Sequence, residues 1–306
     1  MLDPSVSTLP IAHDAAGPFT GVVTVTLEQP GKPVVVLDEP LIRRLEATLN
    51  TVPRTARGLV LASASERVFV AGADLKTIQD ATDDQLRRYL AYAARVFGML
   101  ANFPFPTAAA INGAALGGGL ELAMHCDGLI GAPSGSGKPY LIGLPEAGLN
   151  ICPGWGGTNL LPARIDPARA IGMTAAGKPI TFDDARDAGL FDAVAQAPAE
   201  LLDTAKGWVV ARAAKVSGGS AGRLERDGAP LRWIGRTGFA ARTLAALDAV
   251  RPDLPKTEAA QAVTLAVDAG LARGWSAALE TEQQELVRLR HTPAGKASIA
   301  AFFAKK

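Results

Sequence analysis

Two carboxylates and two glycine-rich turns carry the chemistry that this sequence can support. Gly117, Gly118 and Gly119 come immediately before the helix-compatible run Leu120 to Met124, which places Glu121 near a helix start. Glycine lacks a Cβ, so it adopts unusual dihedral angles and lets backbone N–H groups approach a bound group closely. The first N–H groups of a helix have no intrahelical acceptor and carry the positive end of its dipole. Such a place suits an anion, or an oxyanion that develops during a reaction. A second carboxylate, Glu146, lies between two turns, ahead of Pro153-Gly154-Trp155-Gly156-Gly157-Thr158. The glycines before Glu121 would equally serve close strand-to-helix packing, and that stretch alone leaves both readings open.

Nucleotide loops do not account for these glycines. A dinucleotide fingerprint needs G-x-G-x-x-G, and Gly117 to Leu122 lacks the third glycine. Around Gly137-Lys138, Ala132 stands where a phosphate loop needs its first glycine, and Pro139 where it needs Ser or Thr. The 31 Lys and Arg nearly balance the 30 Asp and Glu, so no global field attracts nucleic acid or a membrane surface. Cys126 and Cys152 fit a reducing compartment better than a disulfide framework. The scattered His13, His125 and His291 offer no zinc-site spacing, and no metal is expected. The N-terminus is acidic where a signal peptide would be basic, and the longest apolar region is broken by Asn112 and Glu121. A soluble, cytoplasmic protein is expected.

Short apolar runs alternating with amphipathic segments position these residues. Gly21 to Leu27, Val34 to Leu37, Gly58 to Ala62, Val68 to Val70, Ala108 to Ile111, Gly128 to Ala132 and Leu190 to Val194 read as strands or apolar runs of strand type. Pro40 to Leu49 and Asp83 to Leu100 have helical spacing, and Asp74 stands where it would cap a helix. Shorter helices fit Ala168 to Ala175 and Phe182 to Gly189. Residues 217 to 238 are rich in Gly and Arg and read as a loop or lid, and Thr257 to Ala272, Ser276 to Leu289 and Ala294 to Phe303 read as helices. The class is α/β, with residues 1–200 as a core that carries the site and 201–306 as a helical region.

Three segments in this order resemble the crotonase (enoyl-CoA hydratase/isomerase) superfamily. They are Phe69-Val70-Ala71-Gly72-Ala73-Asp74-Leu75-Lys76, then Ile111 to Ala123, then Leu144-Pro145-Glu146 with Pro153 to Thr158. Pro30 to Asp38 is similar to the hydratase half of multifunctional fatty-acid oxidation proteins, and the chain is expected to stop before any dehydrogenase half. The resemblance implies a spiral of β-β-α turns, a C-terminal helical trimerisation region, and trimers or pairs of trimers. It implies an acyl-CoA thioester substrate, an enolate held by the N–H groups of Ala73 and Gly118, and no cofactor beyond the coenzyme A of the substrate.

Hydratases of this superfamily use two glutamates, which implies that Glu121 orients and deprotonates water while Glu146 protonates Cα. The Gly154 N–H would help hold the water. Val34, Val36, Phe302 and Lys305 would contact coenzyme A, the last two on a neighbouring subunit. Ile151 and Trp155 would line the acyl pocket, where Trp155 replaces a smaller residue. His125, on the same helical face as Glu121, reads as a packing or supporting residue, and Cys152 as a pocket wall, since no base adjoins it. Two other readings stay open: a double-bond isomerase or acyl-CoA hydrolase built on the same fold, and a non-catalytic binding protein, which salt-sensitive nucleic-acid retention would reveal.

Overall fold

The computed structural model describes residues 6–217 and 226–304. Its ten strands are β1 (Ile11–His13), β2 (Val22–Leu27), β3 (Gly58–Ser63), β4 (Val68–Val70), β5 (Thr107–Ile111), β6 (Ala114–Leu116), β7 (Gly128–Gly131), β8 (Leu141–Gly143), β9 (Ile180–Thr181) and β10 (Ala193–Val194). They form a six-stranded sheet in the order β1-β2-β3-β5-β7-β10 and a four-stranded sheet in the order β4-β6-β8-β9. After β2 the chain winds as a spiral. Each of β3, β5 and β7 enters the larger sheet, the strand after it enters the smaller one, and helical structure follows before the next turn. Successive turns lie parallel, with Leu61 opposite Ala109 and Ala115 opposite Ile142.

The larger sheet is covered on both faces, which is why β5 after Thr107 is the apolar run Ala108 to Ile111. Side chains alternate along a strand. Leu59, Leu61, Ala109 and Ile111 accordingly enter the main core, while Val60, Ala62, Ala108 and Ala110 meet Leu201, Ala205 and Val209 of the helix Leu201–Ser217. Helix starts follow ordinary capping chemistry. Asp38 accepts from the Leu41 N–H at the head of Glu39–Thr51, and Asp74 accepts from Lys76 at the head of Leu75–Asp80. Thr82 and Gln85 form a reciprocal capping box on Asp83–Ala101.

Two local expectations are corrected. Val34 to Leu37 is not a strand of the sheets: β2 takes β1 as its antiparallel partner, and only Leu37 makes a bridge, to Ala73. The helix carrying Glu121 begins at Gly118, inside the glycine run, because glycine lets it press against β4; a Cβ on Gly119 would collide with the Val70 carbonyl. Of the segment 217 to 238, residues 218–225 lie outside the described residues. Its later part is anchored rather than loose. Arg226 pairs with Asp127 at 2.7 Å, Trp233 and Ile234 are buried, and the Ile234 N–H donates to the Asn159 carbonyl at 3.0 Å.

Candidate active site

The centre of the site is the turn that joins β6 to the helix Gly118–Met124. Gly117 sits at φ 52° and ψ −127°, a conformation for glycine, and its N–H donates to the Gly143 carbonyl at 2.8 Å. Among the described residues, the N–H of Gly118 donates to no backbone acceptor, as expected for the head of a helix. A second such donor follows β4. Ala71 donates to the Val35 carbonyl at 2.8 Å and Asp74 to the Leu37 carbonyl at 3.3 Å, while the Ala73 N–H between them has no backbone acceptor among the described residues.

Three carboxyl groups converge on this turn and on the segment Trp155 to Thr158. Glu121 is 1% exposed, and its Oε1 accepts from the N–H groups of Trp155 and Gly157, each at 2.8 Å. Glu146 opens a short 3-10 turn, Glu146–Leu149, that ends in left-handed Asn150 and is tied by the Asn150 amide to Ser298 Oγ at 2.8 Å. Its Oε1 lies so close to Gly117 that a Cβ there would collide with it, and its Oε2 is buried with no hydrogen-bond partner among the described residues. Glu282, fully buried on the helix Trp275–Leu289, supplies the third carboxyl. Its Oε2 accepts from the Gly156 N–H at 2.5 Å, and its Oε1 from the Thr158 N–H at 2.9 Å and the Thr158 hydroxyl at 2.5 Å.

Burial raises the proton affinity of all three. Glu146 is pushed up to about 8, first by desolvation and then by the charge of Glu282. Glu282 is pushed up to about 7 by desolvation, against which its three donors act. Glu121 is raised well above the ordinary carboxyl range by burial and by the neighbouring Glu282 and Glu146, while its two N–H donors pull the other way. Such a set shares protons, and charge is best tolerated where donors point at it. Glu121 and Glu282 have those donors, whereas Glu146 Oε2 has none among the described residues.

Aromatic packing holds the far side of this arrangement. The Trp155 indole is buried against Gly118, where a Cβ would strike the ring, and stands edge-on to Tyr89 and Phe97 at 5.7 and 5.2 Å. Its Nε1–H donates to the Leu90 carbonyl at 3.0 Å, and the Tyr89 hydroxyl donates to the Leu37 carbonyl. His125 Nε2 lies 3.0 Å from the Trp155 carbonyl; burial lowers its pKa to about 4, so the ring is neutral and donates that bond. Ile151 is buried and its N–H donates to the Glu146 carbonyl at 3.1 Å, while Cys152 is buried and its thiol is held protonated by desolvation and the nearby carboxylates. Gly154 leaves room for Leu90 and Leu286, each 3.2 Å from where its Cβ would stand.

The remaining expected positions lie farther out. Val34 lines a cavity of about 760 Å³ together with Lys32, Val35, Ser65 and Arg67. The Val36 N–H is already occupied by the Gln29 side chain at 2.7 Å, and its carbonyl accepts from Asp38. Phe302 is exposed on the last helix, Pro293–Ala304, and Lys305 lies outside the described residues.

Comparison with known proteins gives the family and the fold. The family model described as enoyl-CoA hydratase/isomerase matches residues 19–218, well over half of the chain. The chain belongs to the enoyl-CoA hydratase/isomerase family. It is 35% identical over 184 residues to YngF of Bacillus subtilis, covering 60% of this chain and 68% of that protein. It is 31% identical over 290 residues to the fatty acid oxidation complex subunit alpha of Vibrio cholerae; that match covers 92% of this chain and only 39% of the relative. The crystal structure of enoyl-CoA hydratase from Bacillus anthracis superposes with a TM-score of 0.57 at 28% identity, covering 97% of this chain and 96% of the other. The fold is therefore the crotonase spiral with a helical C-terminal region, as its motifs implied.

Glu282 was not among the residues singled out from the sequence, and it lies beyond the segment that the family model matches. A signal was present. Ala278, Glu282, Leu286 and Leu289 follow helical spacing on one buried face, so a carboxylate stands in an apolar stripe. Thr158, its partner, had read only as the end of a glycine turn.

Proposed function

We propose that this protein is an enoyl-CoA hydratase, adding water across the 2,3 double bond of a 2-enoyl-CoA thioester to form a 3-hydroxyacyl-CoA. The observation that carries the reading is the placement of Glu121 in, and of Glu146 against, one glycine turn whose helix head presents an N–H group without a backbone acceptor among the described residues. In this reading Glu121 takes a proton from water as the water oxygen bonds to Cβ of the substrate. The double-bond electrons pass through an enolate whose thioester oxygen is held by the Ala73 and Gly118 N–H groups, and Glu146 delivers its proton to Cα. The proton left on Glu121 must then return to Glu146, which coupled carboxyls allow. Each proton-transfer group contributes roughly a hundredfold to ten-thousandfold, and an oxyanion donor about 3 kcal/mol.

The family supports an acyl-CoA ligand, with the Gly154 N–H near the water, Ile151 and Trp155 bounding the acyl group, and Val34, Val36, Phe302 and Lys305 toward coenzyme A. Buried Trp155 fills space beside Gly118, which favours a short or flat acyl group. Assembly as trimers or pairs of trimers, a cytoplasmic location, and action without a metal or redox cofactor belong to the same proposal. Among the described residues no helix is long and apolar enough to cross a membrane.

Loss of the conjugated-thioester absorbance on mixing with crotonyl-CoA and with a longer or cyclic enoyl-CoA tests the reading, alongside Glu121→Gln and Glu146→Gln. Hydration by the wild type and loss of most of kcat in both variants are expected. Thioester binding without hydration of any enoyl-CoA overturns it and favours the isomerase or hydrolase reading.

A further inference from the structure

We propose that Glu282 is a positioning residue for this reaction, its carboxylate fixing the segment Trp155 to Thr158 so that alternate N–H groups of that segment hold Glu121 in place. The inference rests on the hydratase reading above. The pattern of donors carries it. Trp155 and Gly157 donate to Glu121, while Gly156 and Thr158, the residues between and after them, donate to Glu282. One short stretch of backbone is thus clamped between two buried carboxylates, one from the helix Gly118–Met124 and one from a helix more than a hundred residues later in the chain. The stretch cannot turn to satisfy one without releasing the other.

The C-terminal clamp is itself anchored. Arg290, at the end of the Glu282 helix, donates to the Ile78 and Ala81 carbonyls at 2.7 Å each and pairs with Asp83. Leu286, one turn after Glu282, packs against Gly154, 3.2 Å from where a Cβ would stand. The titratable groups facing Glu282 are Glu121, Glu146 and the Cys152 thiol, all acids. Its charge therefore raises the proton affinity of both glutamates assigned to the chemistry, and the clamp carries an electrostatic effect as well as a geometric one.

Glu282→Gln tests this. It keeps the shape but turns an amide N–H₂ toward a backbone donor. Misplacing a catalytic group by about 1 Å costs on the order of a hundredfold, so kcat is expected to fall tenfold to a hundredfold by the same reasoning, with KM for the enoyl-CoA within about threefold. The basic limb of the kcat profile is expected to move to lower pH as a neighbouring negative charge is lost. Thr158→Val, which removes only the hydroxyl donor, is expected to lose less, and Glu280→Gln, on the exposed face of the same helix, nothing. A crystal structure of Glu282→Gln supplies a readout independent of turnover: Glu121 is expected off the Trp155 and Gly157 N–H groups. Glu121 retained there, or unchanged kcat and pH profile in an active enzyme, overturns the positioning role. A wild type that hydrates no enoyl-CoA overturns the hydratase reading alone, and the crystal structure still decides the clamp.

Discussion

Replacing Glu146 by Gln should make the protein a worse enzyme and, above neutral pH, a more stable fold. Glu146 is held at about 8 against an ordinary 4.5, because its carboxyl is buried and the charge of Glu282 lies nearby. The folded protein therefore binds this proton more tightly than the unfolded chain does. Its stability falls as pH rises from the unfolded value toward 8, and the loss is complete above the folded value. Each unit of separation is worth about 1.4 kcal/mol. Because three carboxyls share protons, removing one recovers only part of the total, and about 1–3 kcal/mol at pH 9 is expected by that conversion. At pH 4, where both states are protonated, the gain should vanish. Denaturant unfolding at several pH values reads this directly, and the thioester absorbance assay on the same preparations should show kcat lower by roughly a hundredfold to ten-thousandfold. A pH slope of stability identical to the wild type would refute the buried, protonated carboxyl; kcat within tenfold of the wild type would refute its role as proton donor.

Gly117→Ala should cost about 1–3 kcal/mol in backbone strain and displace Glu146, since the new Cβ falls on Oε1 at a positive φ; thermal unfolding and kcat together check it, and both should fall. Trp155→Ala should destabilise by about 3–5 kcal/mol through the cavity it leaves and shift the ratio of kcat/KM toward longer or branched enoyl-CoA substrates, measured on a chain-length series. Arg226→Ala should cost about 3–5 kcal/mol, because it strands a buried charge on Asp127, whose other contact is the Thr107 N–H; urea unfolding reads it, and a loss below 1 kcal/mol would show the segment around Arg226 to be dispensable.

The sequence by itself determined what is local. The helix cap at Asp74, the apolar run Ala108 to Ile111, and the glycine run before Glu121 are statements about neighbours within a few residues, and capping and alternation act at that range. The spacing of its motifs also pointed to the family. Only the tertiary structure decided which groups meet. Val34 to Leu37 has the apolar character of a strand yet lies outside the sheets, because β1 already occupies the edge of β2 and the run is left to bridge toward Ala73. Trp155 stands in a glycine turn like a loop residue, but the missing Cβ of Gly118 opens the space its ring fills. Glu282 reaches Gly156 across 126 residues of chain. Its periodicity could mark it as an odd carboxylate on an apolar face, but not name its partner, since backbone N–H groups left free at a turn attract any buried anion that packing brings within reach.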